Sequence, residues 1–212
     1  MVNKEIFRDV LIQYGLKYWE LMNVADSFEK GERPEDSFFK CAVLPGRLYV
    51  EPTNRCNKNC IYCARSSMKR SFSDLSLEAF AEIVDKIPRG IYITLTGNGE
   101  PLLNKNIYSM IRKARSRGAL IGLITNGTLL SEKNARELIE SGPNRVQISF
   151  DAIDKKVYDL TYRTSGKALS YESVLAKILS FILVEREVYK KGIFLTISSV
   201  LTEEVKKVRD QS

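Results

Sequence analysis

From residue 47 onward, short runs rich in β-branched and aromatic residues alternate with longer segments whose apolar positions recur every three or four residues. "RLYVEP", "IYITLTG", "ALIGLIT", "RVQISFD" and "IFLTISSV" have the composition and length of strands. Between them, "LSLEAFAEIVDKI", "NIYSMIRKARSRG", "SEKNARELIESG" and "YESVLAKILSFILVEREVYKKG" carry the helical period. Asp74 and Ser131 stand where N-caps belong, and Gly118, Gly142 and Gly192 where C-terminal caps belong. Strands alternating with helices predict βαβ units and a parallel sheet, in a barrel or an open α/β fold. Residues 4–24 differ: Ile6, Val10, Leu11, Tyr14, Tyr18, Leu21 and Met22 mark an amphipathic helix, and "SFEKGERPEDS" reads as a linker. The expected organisation is a helical extension and linker over 1–46, followed by an α/β core over 47–212.

The unusual residues gather after the strands. "TNRCNKNCIYC" follows the first, "GNGEP" the second and "TNGT" the third, while "SFD" closes the fourth. In parallel α/β folds, the loops at the carboxyl ends of the strands converge on one face and bind ligands there. Three cysteines therefore meet glycine-rich and polar loops drawn from distant sequence.

Composition narrows the classes. The 212 residues are 44% hydrophobic, enough for one sizeable core. No apolar run approaches the roughly 20 residues of a membrane span, and charges interrupt the N-terminal "MVNKEIFRDVLIQYGLKYW". The reading is a cytoplasmic protein with no membrane partner and no signal peptide. Of the formal charge of +7, +4 falls on residues 111–150, around "IRKARSRG". The helix that carries this basic stripe also offers Ile107, Met110, Ile111 and Ala114 as a buried side, so the stripe reads as a solvated face rather than a nucleic-acid surface. The chain has no histidine, which excludes His triads, His-ligated zinc and His general bases together.

Cys56, Cys60 and Cys63 lie within eight positions, in a CxxxCxxC arrangement, with only Cys41 besides. Thiols so close in sequence make a poor disulfide framework, because they cannot staple distant parts of a fold. A structural zinc site needs four ligands and would have to recruit Cys41. Three thiolates on an iron-sulfur cube leave one iron open to an exogenous donor. The spacing alone leaves both readings standing. Cys41 outside the cluster reads as a buried free thiol, with no role assigned.

Taken with its neighbouring motifs, the stretch resembles the signature of the radical S-adenosylmethionine (radical SAM) superfamily, which is CxxxCxxC with an aromatic before the last cysteine, here Tyr62. The resemblance implies that Cys56, Cys60 and Cys63 hold a [4Fe-4S] cluster whose fourth iron is chelated by the amino and carboxylate groups of S-adenosyl-L-methionine. "TGNGEP" is similar to the family's GGE segment, which implies that Gly97, Gly99 and Glu100 lie by the cofactor's amino group. Glycine lets backbone approach a ligand, and a carboxylate complements a cationic one. "VQISFDAID" is similar to the fourth strand of the family, where Ser149 and Asp151 would flank the ribose and methionyl parts. Residues two apart face one side of a strand, although Asp151 reads equally as a cap of the following turn. Arg163 in "VYDLTYRTSG" matches an arginine that binds the cofactor carboxylate in many relatives. Thr125 and Asn126 in "LITNGTLL" face the cavity in relatives, while Asn-Gly taken alone reads as a turn.

The implied fold is a partial (βα)6 TIM-like barrel with about five βα units, since no sixth strand follows and the core reads as truncated. The implied activity is reductive cleavage of S-adenosylmethionine to a 5'-deoxyadenosyl radical that abstracts hydrogen. A closed, dry cavity around Ser149, Ser198 and Ser199 and an external donor of the flavodoxin or ferredoxin kind go with it. "VEPTNRCNKNC", "GEPLL" and "TNGTLLS" look most like the SPASM-type peptide- and protein-modifying branch, so a peptide or protein substrate is expected. "SFDAID" is similar to molybdenum-cofactor synthases. A truncated, non-catalytic cluster-binding relative and a zinc-stabilised binding module are the alternatives.

Overall fold

A computed structural model of the chain describes residues 46–87, 89–151, 154–162 and 169–200, together with 203 and 206. The helix expected over 4–24, Cys41 and Arg163 lie outside the described residues.

Five strands form one sheet: β1 (Arg47–Val50), β2 (Tyr92–Leu95), β3 (Leu120–Thr125), β4 (Arg145–Ser149) and β5 (Phe194–Ser198). All four pairings are parallel, and the spatial order is the chain order, β1-β2-β3-β4-β5. Helices α1 (Leu77–Lys86), α2 (Ile107–Ser116), α3 (Glu132–Ser141), α4 (Lys155–Tyr162) and α5 (Tyr171–Leu183) connect them, and α5 widens into a π turn over Val184–Tyr189. A doubly wound sheet reverses its strand order at a switch point. Sequential order with right-handed crossovers instead keeps every helix on one face, the winding of a (βα) barrel. Among the described residues β1 and β5 remain edges, so the sheet is open.

The two faces differ accordingly. Val50, Ile93, Leu95, Ile121, Leu123, Val146 and Ile148 are buried in one core with Phe80, Val84, Met110, Ile111, Leu138, Ile178 and Phe181 of the helices. The alternate positions Arg47, Tyr49, Tyr92, Thr94, Arg145 and Gln147 line a small polar hollow on the other face. There Arg145 Nη2 donates to Gln147 Oε1 (2.9 Å) and Thr196 Oγ1 (3.2 Å). Parallel sheets are normally covered on both sides; among the described residues, helices pack on one face and the other presents these polar positions.

Two local expectations change. The N-cap of α1 is Ser76, whose Oγ accepts from Ala79 N (3.1 Å). Asp74 instead accepts from Thr53 Oγ1 (2.6 Å) and pairs with Arg55, bracing the loop after β1. The last helical segment ends at Lys190, in the left-handed region at φ 49°, two residues before Gly192. Ser131 and Gly142 cap α3 as expected. Helix α4 was not anticipated; Val157, Tyr158, Thr161 and Tyr162 form its buried side.

Candidate functional site

The ends of all five strands meet at a cavity of about 210 Å³. Cys56, Cys60, Tyr62 and Cys63 form its wall after β1, and Thr96, Gly97, Gly99 and Glu100 its wall after β2. Thr125 and Asn126 enter from β3, Ser149 and Asp151 from β4, and Ser198 and Val200 from β5, with Tyr162 of α4 beside them. Every predicted cofactor-side residue within the described set lies on this one cavity; Ser199 does not line it.

The cysteine loop has little regular structure of its own, so neighbouring strand ends hold it. Glu100 N donates to Arg55 O (2.8 Å), and Ile61 N donates to Thr161 O (3.0 Å) at the end of α4. Asn126 ties the loop from a third side. Its Nδ2 donates to Asn57 Oδ1 (3.0 Å) and reaches Cys56 Sγ at 3.8 Å, while its Oδ1 accepts from Thr128 N (3.0 Å). The Asn-Gly turn reading is therefore incomplete: Gly127 has the positive φ of a turn, at 77°, and Asn126 also binds the loop that carries the thiols. Asn126 was expected at the cavity from the resemblance, whereas Asn57 and Lys58 were not singled out from sequence; the asparagines of "CNKNC" were the available signal.

The two glycines serve the protein's own packing. A Cβ on Gly99 would strike the backbone oxygens of Thr53 and Arg55, and one on Gly97 would strike the Glu51 side chain. Close approach is needed at both positions, and what approaches Gly99 is the cysteine loop. Glu100 is 2% exposed and caps the short turn Pro101–Leu103. Its Oε1 accepts from Leu102 N (3.1 Å) and Thr125 Oγ1 (2.7 Å), and its Oε2 from Asn126 N (2.7 Å). Burial pushes this carboxyl above its usual range, opposed by those three donors. Glu100 thus gives the cavity wall a carboxylate whose lone pairs are mostly occupied, rather than a free acceptor for an ammonium.

Asp151 is equally committed. It is 2% exposed; its Oδ2 accepts from the Tyr62 hydroxyl and from Tyr162 OH (2.9 Å), and its Oδ1 from Val200 N (2.6 Å). The carboxylate ties the cysteine loop, α4 and the backbone just beyond β5 together while still lining the cavity. Burial, and then the bond to Asp151, raise the Tyr62 hydroxyl pKa, and burial raises that of Tyr162. Ser149 is half-buried on the same wall.

The three thiols are half-buried and free. Burial raises the Cys56 thiol and pushes Cys60 up to about 11, with Lys58 opposing the rise at Cys60. Lys58, between them in sequence, is 3% exposed, and burial lowers its ammonium to about 8. Among the described residues, no three Cys, Asp or Glu side chains gather as donors to a single ion. A four-iron cube makes a different demand, one thiolate per iron. The donor set fits that demand: three thiols from one loop on a cavity wall, with an amide donor at Cys56 and a cation beside Cys60.

Comparison with known proteins agrees. Residues 50–182 match the radical SAM superfamily. The chain is 35% identical over 109 residues to the tungsten-containing aldehyde ferredoxin oxidoreductase cofactor-modifying protein of Pyrococcus furiosus, covering 50% of this chain and 31% of that one. It is 38% identical over 141 residues to the GTP 3',8-cyclase of Desulforamulus reducens, covering 59% and 43%. The chain thus spans less than half the length of these relatives. Among solved structures, anSMEcpe with bound AdoMet and Cp18Cys peptide shares the fold at TM-score 0.59 and 21% identity, over 77% of this chain and 45% of that one. SuiB of Streptococcus suis, bound to precursor peptide SuiA, does so at 0.59 and 14%, over 84% and 42%. The open sequential sheet is therefore a partial TIM-like barrel. Five strand ends meeting at a three-cysteine loop, and a family match over most of the core, place this chain in the radical SAM superfamily.

Proposed function

We propose that this chain is the cluster- and S-adenosylmethionine-binding core of a radical SAM enzyme, with Cys56, Cys60 and Cys63 as the iron ligands. The observation that carries the reading is that the three thiols share one cavity with the loops that follow β2, β3 and β4. When bound, a [4Fe-4S] cluster and S-adenosylmethionine supply a 5'-deoxyadenosyl radical for hydrogen abstraction, given an electron from a flavodoxin- or ferredoxin-like donor. The chain's own residues position and enclose. Gly99 and Glu100 seat the cysteine loop against β2, Asn126 seats it against β3, and Asp151 fastens Tyr62 to the ends of β4 and β5. Thr96, Ser149 and Ser198 leave hydroxyls on the wall for the polar parts of a ligand. Arg163 is assigned to the ligand's carboxylate on its motif alone.

For the substrate we propose a peptide or protein, on the motifs "VEPTNRCNKNC", "GEPLL" and "TNGTLLS". A second reading, a small molecule converted in cofactor synthesis, is favoured by the relatives at 35% and 38% identity, whose names refer to a cofactor-modifying protein and a GTP 3',8-cyclase.

The test is anaerobic reconstitution with iron and sulfide, followed by strong reduction with S-adenosylmethionine, in wild type beside Cys60→Ala. About four irons and 5'-deoxyadenosine in wild type only are expected. A wild-type chain that takes up no iron sinks the reading. Adding candidate peptides or GTP to the same assay separates the two substrate classes by which one is consumed.

A further inference from the structure

Lys58 occupies the middle of the cysteine loop, between Cys56 and Cys60, yet its side chain runs inward rather than to solvent. Its Nζ lies 3.5 Å from the centroid of the Tyr162 ring and 5.0 Å from that of Tyr158, and 3.5 Å from the backbone oxygen of Asn126. Two ring faces and a carbonyl are partners suited to a cation. Among the described residues Lys58 has no direct ion pair; aromatic faces hold its charge, and the buried carboxylates of Asp151 and Glu100 act on it only from a distance. Arg65 of the same loop donates from Nη2 to Lys58 O (2.8 Å), and its buried Nε has no hydrogen-bond partner among the described residues. The loop thus brings two cations to three thiols.

Burying a charge that has no direct ion pair is unfavourable, and an aliphatic residue would fill the space under the loop more cheaply. The cost has a counterpart if the loop itself becomes negative, as three thiolates on an iron-sulfur cluster make it. We propose that the Lys58 ammonium, held against Tyr158 and Tyr162, is a fixed counter-charge that makes the cluster easier to reduce. This rests on Cys56, Cys60 and Cys63 being the ligands. Reduction adds one electron to the cluster, and a nearby fixed positive charge in a poorly hydrated site favours the more negative state. Lys58 touches neither substrate nor cofactor in this scheme; it is a positioning and tuning residue.

The experiment compares the full chain with Lys58→Met, Lys58→Gln and Lys58→Arg after anaerobic reconstitution. Iron and sulfide counts and the paramagnetic signal of the reduced cluster come first, and their failure in wild type overturns the ligand assignment itself. A redox titration followed by that signal then reads Lys58. The uncharged variants are expected to show about a tenfold smaller reduced-to-oxidised ratio at a given potential, a midpoint about 59 mV more negative for a one-electron couple. Lys58→Arg should stay close to wild type. Met or Gln variants with full iron and an unshifted midpoint overturn the proposal. If both take up no iron and their metal-free forms also unfold at lower urea than wild type, Lys58 belongs to folding and the proposal is equally overturned.

Discussion

Replacing Gly99 by alanine probes the contact between the β2 loop and the cysteine loop. The added Cβ would lie 2.5 Å from Arg55 O and 2.8 Å from the Thr53 carbonyl carbon, with Thr53 O nearer still. Ordinary contact begins at 3.4 Å, so backbone must retreat by about 0.9 Å from Arg55 O alone. The obstacle is main chain on both sides, which cannot rotate away. Overpacking of this kind costs about 1–3 kcal/mol. The retreat also strains the bond from Glu100 N to Arg55 O, 2.8 Å long, worth about 0.5–1.5 kcal/mol. Gly99→Ala should therefore destabilise the fold by roughly 2–4 kcal/mol. Gly97→Ala is the internal control, because the atoms nearest its Cβ all belong to the Glu51 side chain. That side chain can swing aside, giving up the bond from Asn98 N to Glu51 Oε1, at about 0.5–1.5 kcal/mol. Urea unfolding of the metal-free proteins reads the difference, and iron uptake should fall more in Gly99→Ala. A Gly99→Ala chain as stable as Gly97→Ala would refute the claim that the glycine exists for the cysteine loop.

Asp151→Asn keeps the volume and removes one acceptor from a carboxylate that serves Tyr62, Tyr162 and Val200; a loss of about 1.5–3 kcal/mol in urea unfolding is expected, with no loss counting against the tie between loop and sheet. Glu100 gives a pH test. Its folded-state carboxyl is raised by burial, so its contribution to stability is fully present below the unfolded value of about 4.3 and is lost as pH rises through the folded one. Stability measured against pH should fall across that window more steeply in wild type than in Glu100→Gln, and parallel curves would refute the assignment.

Much of this architecture is legible in the sequence because parallel strands with one covered face write an alternation that periodicity detects. All five strands and four of the helices fall where the pattern puts them. Helix α4 escaped because it has only eight residues and its buried side includes Tyr158, Thr161 and Tyr162, whose polar atoms disguise the period. That the cysteine loop and the glycine loop would meet at the strand ends was legible, since both follow predicted strands; that the glycines serve packing between the two loops was not. What Glu100 and Asp151 do was not, because a carboxylate aimed at a ligand and one consumed by the protein's own donors are identical in sequence. Only the positions of Thr125, Asn126, Tyr162 and Val200 tell them apart.

The span of the loop's anchors bears on how the protein matures. Tyr62 is fastened to Asp151, 89 residues downstream, and Asp151 in turn to Val200, 49 residues further. A growing chain exposes its three thiols long before the strand ends that fix them have been made, and pairings of such separation form late. Until β5 docks, the cysteines belong to a loose loop open to oxidation and to stray metals. Docking of β5 is therefore the step that ends this exposure, and delaying it by weakening the tie between Asp151 and Val200 should increase thiol oxidation during folding.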